Sequence, residues 1–476
     1  MVTCVHLERR EGTLTKPSRV AVIGLDCASP RLIFDTWLDE LPHLRSLVHS
    51  GTWGKLRSVD PPITVPAWSC MTSGRDPGRL GVYGFRNRKD YTYDGLSFAN
   101  SLSIKEDRVW DIAGRAGKHV IVLAVPQTYP PLPVNGELVS CFLTPDPRTC
   151  SYTYPAELKS EIEQLVGDYQ VDVADFRADD RDRIVQQLYR MTEQRFAVAG
   201  HLLESRPWDF FMMVEIGVDR VHHAFWRYFD PEHPRYEPNS RYRDTIRDYY
   251  HFIDAQIGAL LPLFGTGDTV LVVSDHGAMP MAGGICINDW LVREGYLALD
   301  EPLRGLTPLS KAKIDWGRSR VWGEGGYYCR LCLNVRGREP RGIVDADAYE
   351  ALRSEIIQKL EALTDPTGKN IGTKVYRPEE LWPERRGITP DLIAYFGNLA
   401  WRSIGTLGHD QIWTFENDTG PDDANHAHDG VFIMRGPGIP HVERQGLSLL
   451  DVAPTLLRRL QLPVPDDMTG RAIVDG

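Results

Sequence analysis

Apolar residues gather in five short runs, each closed by small or polar residues: Val20–Leu25, Val120–Val125, Phe210–Ile216, Thr269–Ser274 and Val431–Met434. Runs this short and apolar throughout predict parallel strands buried on both faces. Helical periodicity fills the intervals between them, at Pro30–Ser50, Ile104–Ala116, Arg181–Ser205 and Arg241–Leu261, the last stopping at Pro262. Strand and helix alternating at this spacing predict an α/β fold, a mostly parallel sheet covered by helices on both faces.

The alternation breaks once. About 150 residues separate the fourth run from the fifth, far more than an ordinary connection. This interval is rich in Gly, Pro and Trp and carries its own helical pattern at Ala346–Leu363 and a strand-like run at Tyr327–Val335. It predicts an inserted α+β cap subdomain over 283–420, interrupting a core formed by 19–282 and 421–476. Residues 1–18 are expected to be a loose tail.

Composition narrows the class. The chain has 476 residues, 25% of them charged and 42% hydrophobic, as in ordinary globular proteins. A net charge of −11 excludes a general nucleic-acid backbone binder but allows a small phosphorylated substrate where bound cations invert the local field. The first 20 residues lack the apolar stretch of a signal peptide, and no window is long and apolar enough for a membrane span. Eight scattered cysteines are expected to be reduced thiols in the cytoplasm. Cys329 and Cys332 form a CxxC with no second half to complete a zinc site, which favours buried strand positions.

Ligands of parallel α/β sheets bind beyond the carboxyl ends of the strands. There the sequence places Asp26 after the first run, Asp219 and His223 after the third, Asp275 and His276 after the fourth, and His426 before the fifth. Singly these are caps or ion pairs. Six together on one sheet edge would repel or desolvate one another unless divalent cations lay among them. Three carboxylates and three imidazoles suit two cations, Zn²⁺ first and Mn²⁺ second. Thr64, in PPITVPAWSCMTSG, stands at a proline-marked helix start, where the dipole and a coordinated cation would make its hydroxyl a nucleophile.

In order and spacing these residues resemble the type I phosphodiesterase/nucleotide pyrophosphatase family of the alkaline phosphatase superfamily. The resemblance rests on Asp26, Thr64-Val65-Pro66, Asp219 to His223, Asp275-His276-Gly277 and His426 to Asp429-Gly430, with Asp451–Leu456 resembling the closing helix. It implies an alkaline-phosphatase-like fold and two cations. One would be held by Asp219, His223 and His426, the other by Asp26, Asp275 and His276 together with Thr64. It implies hydrolysis in two displacements through a phospho-threonine.

A sulfatase of the same superfamily is excluded, because Thr64-Val65-Pro66-Ala67-Trp68 has neither the convertible Cys or Ser nor the Arg of that motif. By the family pattern Asn87 is the candidate to bond the phosphoryl oxygen. Arg86 and Arg88 either bind a second anionic group or belong to a solvated loop. Trp316, Trp322, Tyr327 and Tyr328 either stack on a flat part of the substrate or pack the insert's own core. The substrate expected is a small phosphorylated molecule, nucleotide-derived ones included. A phosphomonoesterase or phosphonate hydrolase on the same site, and a non-catalytic metal-binding regulatory protein, are the alternatives. His222 and His428, neighbours of the chosen histidines, are not separated from them by sequence chemistry.

Overall fold

The computed structural model describes residues 19–473, and the tail expected over 1–18 lies outside the described residues. A ten-stranded sheet organises the chain. Its strands are β1 (Val20–Leu25), β2 (Thr52–Arg57), β3 (Val120–Leu123), β4 (Gly136–Val139) and β5 (Thr153–Tyr154), followed by β6 (Phe210–Glu215), β7 (Thr269–Val273), β8 (Asp429–Arg435), β9 (Val442–Glu443) and β10 (Leu447–Ser448). They lie in the order β9-β2-β8-β7-β1-β6-β3-β4-β5, with β10 also against β2. From β7 to β4 every pairing is parallel.

The two-residue period of a strand sorts the core into two layers. Ala21, Ile23, Phe211, Met213, Val270 and Val272 face one layer, packed with the helices Arg181–Ser205, Gly217–Phe229 and Thr245–Leu260. Val20, Val22, Phe210, Met212, Leu271 and Val273 face the other, with Trp68, Met71, Trp110 and Leu456. Because both faces are covered, the central strands read as unbroken apolar runs.

The last of the five expected strands differs in direction. β8 runs antiparallel to β7 and to β2. The chain reaches it through Ala424–Ala427, which pairs with Gly277–Pro280 just beyond the carboxyl end of β7. Entering the sheet from that edge, it must run back the other way. β2 escaped the sequence pattern because its burial alternates and it contains Gly54 and Lys55. The helix expected over Pro30–Ser50 is three short pieces, Arg31–Thr36, Leu38–Glu40 and Pro42–His49, with Pro42 opening the last.

Between Gly283 and Thr414 the chain builds its own sheets, including a four-stranded one ordered Val321–Glu324, Cys329–Leu333, Leu392–Tyr395, Lys374–Tyr376. Tyr349–Glu361 is its longest helix, and a third apolar cluster, from Ile285 to Trp413, packs it. Cys329 and Cys332 are buried free thiols on one of these strands.

Candidate active site

The edge formed by the carboxyl ends of β1, β6 and β7 gathers all seven residues singled out as metal ligands or nucleophile. Asp26 directly follows β1, Asp275 and His276 follow β7, and His426 lies on Ala424–Ala427. Asp219 and His223 sit one turn apart on the helix Gly217–Phe229, so both point the same way. Thr64 opens the helix Thr64–Ser73, all ten residues of which are buried, and stands at its positive end. This helix lies tight against β1. A side chain at Gly24 would meet the ring of Trp68 at 2.4 Å, and the same indole donates to Asp26 Oδ2 at 2.7 Å.

The ligand atoms form two triads. In the first, His223 Nε2 is 3.1 Å from Asp219 Oδ1 and 3.3 Å from His426 Nε2, and His426 Nε2 is 3.5 Å from Asp219 Oδ1. In the second, His276 Nε2 is 3.2 Å from Asp275 Oδ2 and 3.8 Å from Asp26 Oδ1. Thr64 Oγ joins the second triad, 3.4 Å from both Asp26 Oδ1 and His276 Nε2.

The donor set fits divalent cations. Each histidine binds a pure acceptor through Nδ1: His223 to Asp422 Oδ1 at 2.7 Å, His426 to the Pro62 carbonyl at 2.9 Å, His276 to the Gly277 carbonyl at 3.2 Å. Nδ1 must therefore carry the proton in the neutral ring, which turns all three Nε2 lone pairs inward. Asp275 Oδ2 is buried with no hydrogen-bond partner. Burial, and then the neighbouring carboxylates, push the Asp26 and Asp275 carboxyls well above the usual range. Burial, and then His426, pushes His276 well below its usual range. Against burial, Asp422 and Asp219 hold His223 up at about 9, so they attract a proton as they would a cation.

Tertiary structure also separates the near misses. His222 turns away to Tyr250, its Nε2 3.1 Å from the phenol oxygen. His428 joins neither triad, and its Nδ1 lies 3.9 Å from Asp60 Oδ1.

A cavity of about 280 Å³ lies before Thr64, lined also by Asp219, His426, Tyr327 and Arg86. It adjoins a second chamber of about 540 Å³, and the two share Arg86, Gly325, Gly326 and Arg402. Arg86 makes no ion pair among the described residues. Asn87 and Arg88 are not brought into this cavity. The Asn87 amide accepts from Tyr83 N and donates to the Gly84 carbonyl, so both its ends serve its own turn. Arg88 donates twice to Glu339 Oε1, at 3.2 Å, in a pair almost wholly buried, with Trp322 beneath the guanidinium. Replacing Arg88 with Ala should lower stability by about 2 kcal/mol, less than for an isolated buried pair because Arg338 also holds Glu339. Denaturant melts would read that loss, while kcat/KM should stay within about twofold of wild type.

Sequence reasoning missed the supports of the triads. Asp422, its side chain fully buried, accepts from His223, Arg177 and Arg402. Arg220 pairs with Asp219 and Asp172. No spacing rule marks either, since Asp422 lies 199 residues from His223 and Arg220 lies 48 from Asp172. Tyr327, read as a candidate for stacking on substrate, stacks instead on His426 with ring centroids 4.1 Å apart. Trp316 is stacked on Tyr93 at 3.6 Å, and Trp322 packs the insert.

Cation-ready triads facing a hydroxyl across the carboxyl edge of such a sheet define a phosphoester hydrolase of the alkaline phosphatase superfamily, whose enzymes use divalent metal ions. We find no match among curated protein sequences. The profile of the type I phosphodiesterase / nucleotide pyrophosphatase family matches residues 20–422, and the chain belongs to that family. Similar solved structures share the fold. Human ectonucleotide pyrophosphatase/phosphodiesterase 5 is 14% identical with a TM-score of 0.54, covering 96% of this chain and 97% of its own. The murine protein, as an inactive variant in complex with AMP, is 12% identical at 0.55, covering 94% and 96%. Phosphonoacetate hydrolase from Sinorhizobium meliloti 1021, in complex with phosphonoformate, is 16% identical at 0.56, covering 93% and 95%. No helix among the described residues is long and apolar enough to cross a membrane.

Proposed function

We propose that this enzyme hydrolyses phosphodiesters, with Thr64 as nucleophile. Two zinc-type cations would be held there, one by Asp219, His223 and His426 and the other by Asp26, Asp275, His276 and Thr64. The observation that carries this reading is the pair of buried triads converging on one hydroxyl. Bound there, the cations would supply positive charge to the phosphoryl oxygens and make the threonine alkoxide accessible near neutral pH.

The chain's own residues do the rest. The helix beginning at Thr64 aims its positive end at the developing charge. Trp68 fixes the Asp26 carboxylate, and Asp422, Pro62 and Gly277 fix the three imidazoles. Thr64 Oγ forms a bond to phosphorus as the bond to the departing alcohol breaks, and the threonine proton offsets the charge of that alcohol. Water then displaces Thr64 from the phospho-threonine, regenerating the hydroxyl and releasing a phosphomonoester.

The second chamber favours a diester, because a second ester arm has room beyond Arg86 and Arg402. A nucleotide-derived arm belongs to this class, as the AMP bound by the murine relative indicates. The unpaired Arg86 favours the second reading, a phosphomonoester or phosphonate carrying a further negative charge. Residues 283–420 are read as a cap on a core of 19–282 and 421–476, in keeping with their separate apolar cluster. A cytoplasmic setting accords with the seven described cysteines, all free thiols.

The deciding experiment compares bis(p-nitrophenyl) phosphate with p-nitrophenyl phosphate in the metal-loaded enzyme. The diester should turn over at least about tenfold faster in kcat/KM. Faster turnover of the monoester would transfer the site to the second reading. A metal-loaded protein inactive on both would end the catalytic reading.

A further inference from the structure

One hydroxyl in the Thr64 cavity has no task in the reaction just described. Tyr327 follows Gly325–Gly326, between the strands Val321–Glu324 and Cys329–Leu333 of the insert. Its ring lies over His426 at 4.1 Å and over His223 at 5.1 Å, the planes inclined by 30° and 24°. Asn425 holds its backbone carbonyl at 3.2 Å. Arg177 donates to the phenol oxygen, and the guanidinium groups of Arg177 and Arg402 sit 5.6 and 5.5 Å from the ring centroid.

Donor and acceptor bookkeeping shows what the phenol must do. A tyrosine oxygen has one proton and two lone pairs, and Arg177 can only use a lone pair. The proton needs a separate acceptor, and with His223 in the neutral form that can bind a cation, the atom within reach is its Nε2, at 3.2 Å. His223 commits Nδ1 to Asp422, so Nε2 offers one lone pair. That lone pair is the one His223 would give to a cation in the first triad. The phenol and the cation therefore compete for a single pair of electrons. With the cation in place, the O–H has to turn to another acceptor, and Tyr327 already lines the cavity in front of Thr64.

We infer that Tyr327 is a further catalytic residue, whose phenol donates a hydrogen bond to an oxygen of the phosphoryl group attacked by Thr64. This rests on the Thr64 site proposed above and gives the insert the task that the sequence placed on Asn87. One feature strengthens the donor. Arg177, donating to the same oxygen, polarises the O–H outward. The arginines also hold the ring at one angle, so the donor is aimed before substrate arrives.

The test is Tyr327→Phe, which keeps the ring stack and removes only the O–H. Three quantities are read on metal-loaded protein: metal per chain by mass spectrometry, the affinity for orthovanadate by calorimetry, and kcat and KM on the preferred aryl ester. Metal content should equal that of wild type. Vanadate, which takes up the five-coordinate geometry of phosphoryl transfer, should bind roughly ten- to a hundredfold more weakly, with kcat falling by a similar factor and KM nearly unchanged. Vanadate affinity and kcat within twofold of wild type, at full metal content, would overturn the inference. Loss of metal in the variant would overturn it too, by making the hydroxyl part of the cation site. An inactive wild type that binds no vanadate would remove the parent reading, an outcome visible before the variant is made.

Discussion

Thr64→Ala is expected to lower kcat by at least about 10³-fold while leaving the folded protein and its metal content close to wild type. Among the described residues Thr64 Oγ is the hydroxyl that lies 3.4 Å from both Asp26 Oδ1 and His276 Nε2, so it is the side-chain atom placed to bond phosphorus. The six carboxylate and imidazole ligands keep their positions without it. Trp68, Asp422, Pro62 and Gly277 hold Asp26 and the three imidazoles, Arg220 pairs with Asp219, and the Cys27 N–H donates to Asp275. Thr64→Ser, which keeps the hydroxyl, should recover much of the rate. Steady-state kinetics with metal analysis of the same samples measures this. Full activity in the alanine variant would reassign Thr64 to a helix-terminal role and leave water as the attacking group.

Removing the cations is expected to lower the thermal midpoint by roughly 10 °C, because ions bound only by the folded state stabilise it by about 4 kcal/mol each at a thousandfold excess over Kd. The effect should depend on pH, and its sign follows from two carboxyls. In the cation-free protein, burial raises Asp26 and Asp275 well above their unfolded values, with Asp219 adding to the first and Asp26 to the second. A raised carboxyl means the folded state holds protons that the unfolded state releases. That contribution is therefore complete below the unfolded pKa and is lost as pH rises through the folded pKa. Chelated protein should lose stability from about pH 4 upward, whereas the loaded protein, with charge compensated, should not. The gap between the two melting curves widens with pH. A chelator that leaves the curves superimposed across this range would return the triads to ordinary buried ion pairs. His426→Ala, which dismantles one triad and leaves Asp26, Asp275 and His276 intact, should halve the bound metal.

The local chemistry of the site was legible along the chain. Asp26, Asp275 and His276 each follow an apolar run that could only be a covered strand, and strand ends of a parallel sheet share one edge. Asp219 and His223 are four residues apart, and a helix puts them on one face wherever it lies. Thr64 was marked by its prolines and by the helix start behind it. β2 stayed hidden because an alternating, glycine-containing strand resembles a loop, and the direction of β8 depends on which edge the chain returns from after its long excursion.

The sequence by itself thus determined the central strands, the edge on which ligands collect, and the short segments that supply them. All of these follow from local periodicity and from the one rule that links strand ends in a parallel sheet. Only the tertiary structure decided between His223 and His222 and between His426 and His428, since that choice turns on which way a ring points. It alone drew Asn87 and Arg88 away into their own hydrogen bonds, and it alone brought Asp422 and Tyr327 onto His223 and Arg177 onto both of them. These contacts join residues a hundred or more positions apart in several cases, as His223 and Asp422 show with a separation of 199. No local pattern encodes such a meeting, because its position is the sum of every turn and packing contact in between.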